Sequence, residues 1–434
     1  MLSLSLAALL LAPQDSQATE ADEKPSPPEV TRIFSEELHT GSNAGSAFLA
    51  AVMDADGDGH EEVIVGAPSA VGPGRVELLS GRTGQTLFAW KGKAAGDRLG
   101  AAVAGLGDTD GDGRGELALG APGALSERGR VGLIQGADRE RIRWIHGSED
   151  QRSFGYALAS GRDATADGRH DLVVGAPATG GRGSVTLIDG FTGEIAWTAR
   201  PLKKSGLFGF DVALAPDLDG DGRAEVLVGQ RGAGAAVLSG ASGEHLFHLG
   251  EEALGRNVGS SVAVLARTDA SPLLLLAAPG IRNGDAEENE GLPDPAIHAY
   301  DAATRALSED TSFELPHAYN HSINLGLRLR SLGDLDGDGH DDLAICQPNG
   351  YPSYGLTGQL EVRSGASDAR LFTTWWSPAG FEFAAWHCGN DACAPRAEEG
   401  YSIAVSCPSH GGVAALRPGQ EPERAWRRLD KEER

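Results

Sequence analysis

Three closely spaced aspartates, Asp54, Asp56 and Asp58, are the first residues of this 434-residue chain whose spacing predicts chemistry. Gly57 and Gly59 alternate with them, and glycine permits the tight turn that brings alternate side chains to one side. Carboxylates this close repel one another unless a cation lies between them. Oxygen ligands at loop positions 1, 3 and 5, with a main-chain carbonyl at position 7, are typical of a Ca²⁺ loop. We therefore predict that this stretch binds calcium.

The pattern occurs five times. The first aspartates lie 54, 55, 54 and 117 residues apart, so the last gap hides a repeat without a loop. Positions 1, 3, 5 and 9 would supply side chains, and position 7 a main-chain carbonyl. Four loops are complete, and the third is a weaker site because a threonine replaces one carboxylate. The predicted ligands are Asp54, Asp56, Asp58, His60 and Glu62; Asp108, Asp110, Asp112, Arg114 and Glu116; Asp163, Thr165, Asp167, Arg169 and Asp171; Asp217, Asp219, Asp221, Arg223 and Glu225; and Asp334, Asp336, Asp338, His340 and Asp342.

The residues after each loop distinguish it from an EF-hand. An EF-hand continues into an amphipathic helix, whereas here a short apolar run ends at a glycine or proline, which predicts a buried strand. In the third repeat we predict strands over 153–159, 172–174, 183–188 and 194–199, with the calcium loop between the first two. Four short antiparallel strands per period of about 50 residues are typical of one propeller blade.

The repeats predict one all-β domain over residues 30–430, a seven-bladed β-propeller with degenerate blades five and seven. Repeat five has one carboxylate and no paired glycines in its loop, 266–272, so we expect it to bind no calcium. The ring would be closed by a strand within 30–38 or by one within 424–427, and we favour the amino-terminal strand. Closure removes the exposed edge of an open array.

The net charge of −25 limits the possible partners. The predicted acidic ligands account for 19 of the 62 acidic residues, and five bound Ca²⁺ would change the charge to −15. The remaining acidity argues against nucleic acid or an anionic membrane as the main partner. We expect a monomer.

The amino terminus predicts export. Residues 1–12 are an apolar run too short to cross a bilayer as a helix, and they are typical of a signal-peptide core, with cleavage after Ala18. Residues 19–29 are acidic and proline-rich and indicate a linker. We therefore predict an extracytoplasmic protein, whether secreted, periplasmic or at the cell surface, without a transmembrane span.

Four cysteines, Cys346, Cys388, Cys393 and Cys407, lie in the last two repeats. An even, clustered set in an exported chain indicates disulfides, and four cysteines allow three pairings. Cys388 with Cys393 is the favoured pair, since it would replace the missing ion of repeat seven. Free buried thiols remain the alternative, and the spacing disfavours zinc.

Few other residues indicate a site. His317 and His321 lie in a predicted loop without a fixed acidic partner, so we expect no catalytic role for them. Trp90, Trp144 and Trp197 recur in the fourth strand and predict packing between blades. The crowded aromatics Trp375, Trp376 and Trp386 could line a binding surface, although packing is the favoured interpretation.

These motifs resemble the FG-GAP repeats of the amino-terminal region of integrin α-subunits and of related secreted bacterial proteins. Phe154-Gly155 and Phe208-Gly209 match the first half of the motif, and residues 65–68, 119–122 and 174–177 match the second. The resemblance covers roughly residues 30–430. It implies a seven-bladed propeller with calcium in loops within individual blades, and roles in adhesion or protein binding.

Two classes of function follow. The favoured one is a non-enzymatic binding or adhesion module with structural calcium and an unidentified protein or carbohydrate ligand. The alternative is an enzyme with its site at the propeller axis, a polysaccharide lyase or a quinone-dependent oxidoreductase. Residues 80–84 and 189–197 faintly resemble a quinoprotein blade. No catalytic triad, zinc motif or paired catalytic carboxylates stand apart from the calcium loops.

Overall fold

A computed structural model gives the structure of the chain. It describes residues 31–33, 48–69, 71–81, 83, 85–136, 139–178, 183–203, 206–250, 257–279, 296–308, 313, 327–334, 337–347, 359–367, 370–375, 403–407 and 412–416. The predicted signal peptide and linker lie outside these residues. So do Asp336, Cys388, Cys393, His317, His321, Trp376 and Trp386.

The described residues form twenty-six β-strands and one helical turn. The strands are β1 (Thr31–Ile33), β2 (Phe48–Val52), β3 (Glu62–Ala67), β4 (Arg75–Leu79), β5 (Thr86–Lys91), β6 (Ala102–Gly107), β7 (Glu116–Ala121), β8 (Arg130–Ile134), β9 (Arg143–His146), β10 (Ala157–Ala159), β11 (Leu172–Ala176), β12 (Ser184–Ile188), β13 (Ile195–Ala199), β14 (Leu207–Ala215), β15 (Glu225–Arg231), β16 (Gly234–Leu238), β17 (His245–Leu249), β18 (Val262–Leu265), β19 (Leu273–Ala278), β20 (Ala296–Asp301), β21 (Arg328–Ser331), β22 (Leu343–Gln347), β23 (Gln359–Arg363), β24 (Arg370–Trp375), β25 (Ile403–Cys407) and β26 (Gly412–Leu416). The helical turn α1 spans Ala124–Glu127.

The strands form antiparallel sheets in which chain neighbours pair. Four-stranded sheets comprise β2–β5, β6–β9, β10–β13, β14–β17 and β21–β24, while β18–β20 form a three-stranded sheet. A further three-stranded sheet joins the two ends of the chain in the order β25-β26-β1, where Thr31 pairs with Ala415. We number the repeats one to six by these sheets in chain order, and the sheet that joins the chain ends is repeat seven.

Apolar runs explain why the second and third strands are central. Every residue of β7, β8, β11 and β12 is buried, as expected for short apolar strands covered on both faces. In the outer strands β9 and β13 every residue except Ala199 is exposed or half-buried. Side chains from neighbouring sheets share clusters, such as Val103 and Leu119 with Val52 and Ile64. The hydrophobic core therefore lies between sheets.

Two glycines of the motif set how closely neighbouring sheets approach. A Cβ on Gly120, in the second strand of repeat two, would lie 2.2 Å from the carbonyl oxygen of Gly155 in the next repeat. Gly175 and Gly209 repeat this contact at 2.3 Å. Gly155 and Gly209 also have positive φ, 86° and 79°. Only glycine fits such an approach of two backbones without strain.

The predicted all-β class and the four-stranded antiparallel units are confirmed. In the third repeat the first strand is shorter than predicted, because residues 153–156 form a turn stabilised by the hydrogen bond from Tyr156 N to Ser153 O. The other three strands agree within two residues. The described part of the chain contains no helix with the length and hydrophobicity that crossing a membrane requires.

Candidate calcium loops

Each predicted calcium loop connects the first two strands of a sheet. We name them loop 1 (residues 54–62), loop 2 (108–116), loop 3 (163–171), loop 4 (217–225) and loop 6 (334–342). Loop 4, for example, links β14 to β15, whose terminal residues Ala215 and Glu225 pair across the hairpin. The hairpin thus fixes the distance between the start of the loop and position 9.

The first aspartate organises each turn. In loop 1 the carboxylate of Asp54 accepts hydrogen bonds from Gly57 N at 2.7 Å and Gly59 N at 2.9 Å. Asp108, Asp217 and Asp334 accept the equivalent pairs, and Asp163 does so in loop 3. The carboxylate at position 5 accepts from the N–H of position 7, as Asp221 does from Arg223 at 2.9 Å. These contacts bend the loop around its acidic residues.

Loops 1 and 4 bring all four of their predicted side-chain ligands together, and loop 2 brings three together, without Asp112. Within each group, one ligand atom per residue lies within 4.8 Å of all the others. Two oxygens on one Ca²⁺ can be at most about 5 Å apart, given bonds of 2.3–2.6 Å. The separations therefore fit one calcium ion per loop. The groups are Asp54, Asp56, Asp58 and Glu62; Asp217, Asp219, Asp221 and Glu225; and Asp108, Asp110 and Glu116.

The carboxylate at position 9 is the buried member of each group. Glu62, Glu116 and Glu225 have no exposed surface. One oxygen of each accepts the main-chain N–H of position 2, from Ala55, Thr109 and Leu218 respectively. The other oxygen, Oε1, of Glu62 and of Glu225 has no hydrogen-bond partner among the described residues. A buried, unpaired carboxylate oxygen costs several kcal/mol and is normally satisfied by an ion or a donor.

The three position 9 glutamates have raised pKa values. The pKa of Glu62 is raised to about 8, mainly by burial and also by the neighbouring Asp56 and Asp54, against the hydrogen bond from Ala55. Burial likewise raises the pKa of Glu225 to about 8, and that of Glu116 is also raised. A divalent cation would favour the ionised forms. The donor set fits Ca²⁺, which prefers carboxylate and carbonyl oxygens.

Loop 3 differs in the way it satisfies its position 9 residue. Asp171 Oδ2 accepts from Ala164 N and Thr165 N, both at 2.7 Å, and Oδ1 accepts from Thr165 Oγ1 and Gly190 N, both at 3.2 Å. The pKa of Asp171 rises to about 6, again through burial. Thr165 thus donates to Asp171 where the other loops place a carboxylate. That loop 3 is a weaker calcium site stays a prediction.

Loop 6 is described in part, because Asp336 lies outside the described residues. Asp334 and Asp338 adopt the same turn as in the other loops, and Asp342 is fully buried. Asp342 Oδ1 accepts from Gly365 N at 3.2 Å, and Asp338 Oδ2 accepts from Ser364 Oγ at 3.1 Å.

Repeat five replaces the acidic loop by an internal cation. Arg267 donates from Nε to Ser271 O at 2.6 Å and lies 3.2 Å from Asp301 Oδ2, which also accepts from Ser271 Oγ. Leu273 pairs with Leu265 across the hairpin, at the place that a buried glutamate or aspartate occupies in the repeats with an acidic loop. The absence of calcium in this repeat stays a prediction, and the arginine gives it a physical reason.

The sequence analysis did not identify one buried arginine next to the loops, Arg139. Arg139 is 1% exposed and donates to Ala55 O in loop 1 and to Gly115 O in loop 2, both at 2.9 Å. Its own carbonyl accepts from Trp90 Nε1 at 2.9 Å. Burial lowers the pKa of Arg139, against the favourable charges of Glu116 and Asp112. Its position after the third strand of repeat two carries no sequence signal for this contact.

The other predicted features have mixed outcomes. Trp90 and Trp197 donate to the next repeat, Trp197 to Gly240 O at 2.6 Å, so their packing between sheets is confirmed. Residues 189–193, part of the faint quinoprotein-like pattern, form a turn in which Asp189 accepts hydrogen bonds from Phe191 N and Thr192 N. The predicted pairing of Cys388 with Cys393 falls on residues outside the described part of the chain and stays a prediction.

Comparison with known proteins identifies the repeat. The family model described as the FG-GAP repeat matches residues 154–188. Integrin alpha-V of Gallus gallus is 31% identical over 214 residues, which are 44% of this chain and 20% of that protein. Integrin alpha-M of Mus musculus is 35% identical over 163 residues, 32% of this chain and 14% of that protein. The chain thus spans about a fifth or less of the length of these relatives.

Solved structures show a likeness in fold alone. A chain in the crystal structure of BBS1N in complex with ARL6DN aligns with 90% of this chain and 98% of its own length, with a TM-score of 0.54 and 13% identity. A chain of the Mitotic Checkpoint Complex aligns with 96% of this chain and 98% of its own, with a TM-score of 0.51 and 14% identity. The repeat match and the integrin relatives confirm the predicted resemblance of this chain to the FG-GAP repeats of integrin α-subunits.

Proposed function

We propose that this protein is a calcium-binding, seven-bladed β-propeller outside the cytoplasm that binds a protein or carbohydrate ligand. Calcium is structural in this proposal, and ligand binding takes place on a surface that the loops keep rigid. No catalytic step is assigned to the chain.

The arrangement of the sheets supports the propeller. The first strands of successive sheets pack side by side, β2 on β6, β6 on β10, β10 on β14, β14 on β18, and β18 on β21. Such a series places the first strands innermost around a common axis. β2 also contacts β25, and β1 completes the sheet of β25 and β26. That pairing supports closure by the amino-terminal strand.

Calcium binding is carried by one observation. Glu62 and Glu225 each bury an unpaired oxygen inside a group of carboxylates whose ligand atoms lie within 4.8 Å of one another. A protein does not gain stability from such a group without a counter-charge, since burial of an unpaired ion is strongly unfavourable. Calcium bound to the folded state only would stabilise the fold by mass action.

Ligand binding rests on the similarity to integrin α-subunits. These relatives share only the repeat region with this chain, so partners of the whole relatives do not transfer to it. The acidity of the chain disfavours nucleic acid as a ligand. A protein or glycan ligand outside the cytoplasm, where calcium is abundant, agrees best with the loops.

Metal analysis tests the calcium proposal. The purified chain, equilibrated with millimolar calcium and then desalted, should retain up to five ions by mass spectrometry, and Glu225→Gln should reduce the number by one. Glu225→Gln removes one charge with almost no change in size, and Glu244→Gln in an exposed turn is the matched control. An equilibrated wild-type protein without bound calcium would contradict the proposal.

Arrays of extracellular proteins and of glycans test the binding function. The calcium-loaded chain should bind a small set of related molecules, and chelator should abolish this binding because the loops lose their order. Binding to no molecule on either array, with calcium present in the protein, would reject the binding module while leaving the calcium sites intact.

A further inference from the structure

Position 7 of the calcium loops has a second contact that the ligand pattern does not require. In loops 2, 3 and 4, each of which follows a repeat with an acidic loop, the side chain at position 7 contacts the loop of the preceding repeat. Arg169 Nη1 of loop 3 donates to Thr109 O of loop 2 at 2.6 Å, and Arg223 Nη1 of loop 4 donates to Thr165 O of loop 3 at 3.0 Å.

The remaining pairs show the same direction of contact. The guanidinium of Arg114 in loop 2 lies over loop 1, where a Cβ on Gly57 would be 3.3 Å from Arg114 Nη2. His340 Nε2 of loop 6 lies 3.3 Å from Asp269 Oδ1 in repeat five. The arginines at this position are half-buried, so the contacts are not those of freely solvated side chains.

The same residues belong to their own loops through the main chain. Arg169 N donates to Asp167 Oδ1 and Arg223 N to Asp221 Oδ1, both at 2.9 Å. The carbonyl of position 7 is the predicted main-chain ligand of calcium. A calcium ion in loop 4 would therefore hold the main chain of Arg223 in place. It would thereby also position the Arg223 side chain, which donates to Thr165 O of loop 3.

Main-chain hydrogen bonds reinforce this order. Ala224 N, next to Arg223, donates to Asp163 O, the first residue of loop 3, at 2.9 Å. Gly115 N of loop 2 donates to Met53 O, immediately before loop 1, also at 2.9 Å. Loop 4 therefore contacts loop 3 at two neighbouring positions, and loop 2 contacts loop 1 and the residue directly before it in the same way. These contacts depend on the conformation that calcium would fix.

We propose that position 7 relays calcium occupancy from each loop to the preceding one, so that calcium in loop 4 raises the calcium affinity of loop 3. The inference rests on the proposed calcium binding. Loop 3 needs this support most, since Thr165 replaces a carboxylate ligand and Thr165 O is the acceptor of Arg223. Coupling between sites is an equilibrium property, so it should appear in binding midpoints.

Hydrogen exchange of the full-length chain, titrated with calcium alone, measures the loops separately. Peptides covering 161–171 and 215–225 report the calcium midpoints of loops 3 and 4. Asp217→Asn with Asp221→Asn inactivates loop 4, and Arg223→Gln removes the side-chain contact while keeping the main-chain carbonyl. Arg200→Gln, an exposed arginine away from the loops, is the control for loss of one positive charge.

Inactivation of loop 4 should raise the calcium midpoint of loop 3 by about 5-fold or more, the lower end of typical coupling. Arg223→Gln should raise the loop 3 midpoint similarly and leave that of loop 4 within about 2-fold. In the Arg223→Gln background, inactivation of loop 4 should add less than about 2-fold, because the relay is already broken.

Three results would overturn the relay. The first is a loop 3 midpoint that does not respond to inactivation of loop 4. The second is a response to the loop 4 variant but not to Arg223→Gln, which would show that the coupling does not pass through the side chain at position 7. The third is no calcium-dependent protection of loop 3 in the wild type while loop 4 responds. Failure of the proposed calcium binding itself is recognised separately, since then neither loop responds in the wild type.

Discussion

Repeats four and five stabilise the loop between their first two strands with side chains of opposite charge. In repeat four the first hairpin ends at a buried Glu225 beside three aspartates, and one carboxylate oxygen lacks a partner among the described residues. In repeat five the equivalent position is Leu273, and Arg267 supplies a cation that is bonded to Asp301 and Ser271. The hairpin of repeat five is complete within the chain. That of repeat four leaves a buried carboxylate oxygen that an external cation would satisfy, and this difference supports the proposal that the acidic loops bind ions.

Chelation should give the largest difference between the two repeats. Each occupied site contributes about 2.7 kcal/mol when calcium exceeds its Kd 100-fold, so several sites together should lower the melting temperature by roughly 10 °C or more. Calorimetry with calcium and with excess chelator measures this. Hydrogen exchange should show that loops 1, 2 and 4 lose protection while 266–272 keeps it. If residues 266–272 lost as much hydrogen-exchange protection as the acidic loops, repeat five would not differ from repeat four in its dependence on calcium.

Exchanging the buried residue between the repeats should have the next largest effect. Leu273→Glu places a carboxylate in a fully buried site without the three aspartates, and we expect a loss of about 3–5 kcal/mol in unfolding free energy. Glu225→Leu should cost much less in chelator, since it removes an unpaired charge, and should abolish calcium binding in loop 4. Urea denaturation with and without calcium measures both. Leu273→Gln is the control, because glutamine has nearly the shape of glutamate without its charge.

The junction between these repeats should respond to acid. Burial alone would raise the pKa of Asp211 in β14, but Arg330 and Arg328 lower it to about 2, and Ser261 of repeat five also donates to it. Since the folded pKa lies below the ordinary value of 3.8, the stabilisation is complete above about pH 4 and is lost as pH falls towards 2. About 2 kcal/mol should be lost over this window. Unfolding in chelator from pH 5 to 2 measures it.

The double variant Asp211→Asn with Arg330→Met provides the control for this acid response. It lacks the titrating group and the buried cation, so its stability should change less over the same pH window. An identical acid response in the double variant would show that other carboxylates dominate.

Replacing the internal cation of repeat five should have a moderate, calcium-independent effect. Arg267→Gln leaves Asp301 and Ser271 without their bridging donor, which should cost about 1–3 kcal/mol in unfolding free energy. The number of bound calcium ions should not change. A gain of one calcium ion in this variant would mean that repeat five contains a latent metal site. Urea denaturation and metal analysis measure the two quantities, with Arg200→Gln as the control.

The smallest effect is expected in loop 3. Position 4 is glycine in the other loops, with φ from 81° to 87°, but Ala166 occupies it here with φ of 65°. A left-handed alanine costs about 1–2 kcal/mol, partly offset by the greater flexibility of glycine in the unfolded chain. Ala166→Gly should therefore raise stability by up to about 1 kcal/mol and tighten calcium binding. A loss of stability would indicate that Ala166 is not strained.

The periodic part of the structure was predictable from the sequence, and the contacts between repeats were not. The spacing of Asp54, Asp56 and Asp58 and the apolar run after them predict the loop and the following strand, because all their determinants lie within a few residues. Asp211 and Arg330 are 119 positions apart, and Arg139 and Ala55 are 84 apart. No local pattern marks such pairs, because their meeting depends on how whole sheets pack.

In repeat five, the lack of an acidic loop was predictable from the sequence, but the arginine that takes its place was not. The missing carboxylates of 266–272 predict a loop without calcium, but Arg267 is one of many arginines in this chain and nothing in its neighbours marks it. Its role becomes visible only when β20 brings Asp301 to the same place. The buried oxygens of Glu62 and Glu225 likewise follow from the register of their hairpins rather than from composition.

The contact between motif glycines has a consequence for how such a chain can grow. Gly120 meets Gly155, and Gly175 meets Gly209, backbone to backbone, so at this point the junction depends on no particular pair of side chains. A duplicated segment of 54 or 55 residues would bring both halves of this junction with it. Duplication of one unit would then lengthen the chain without requiring a new packing contact between sheets. In the proposed propeller, only ring closure would limit the number of units.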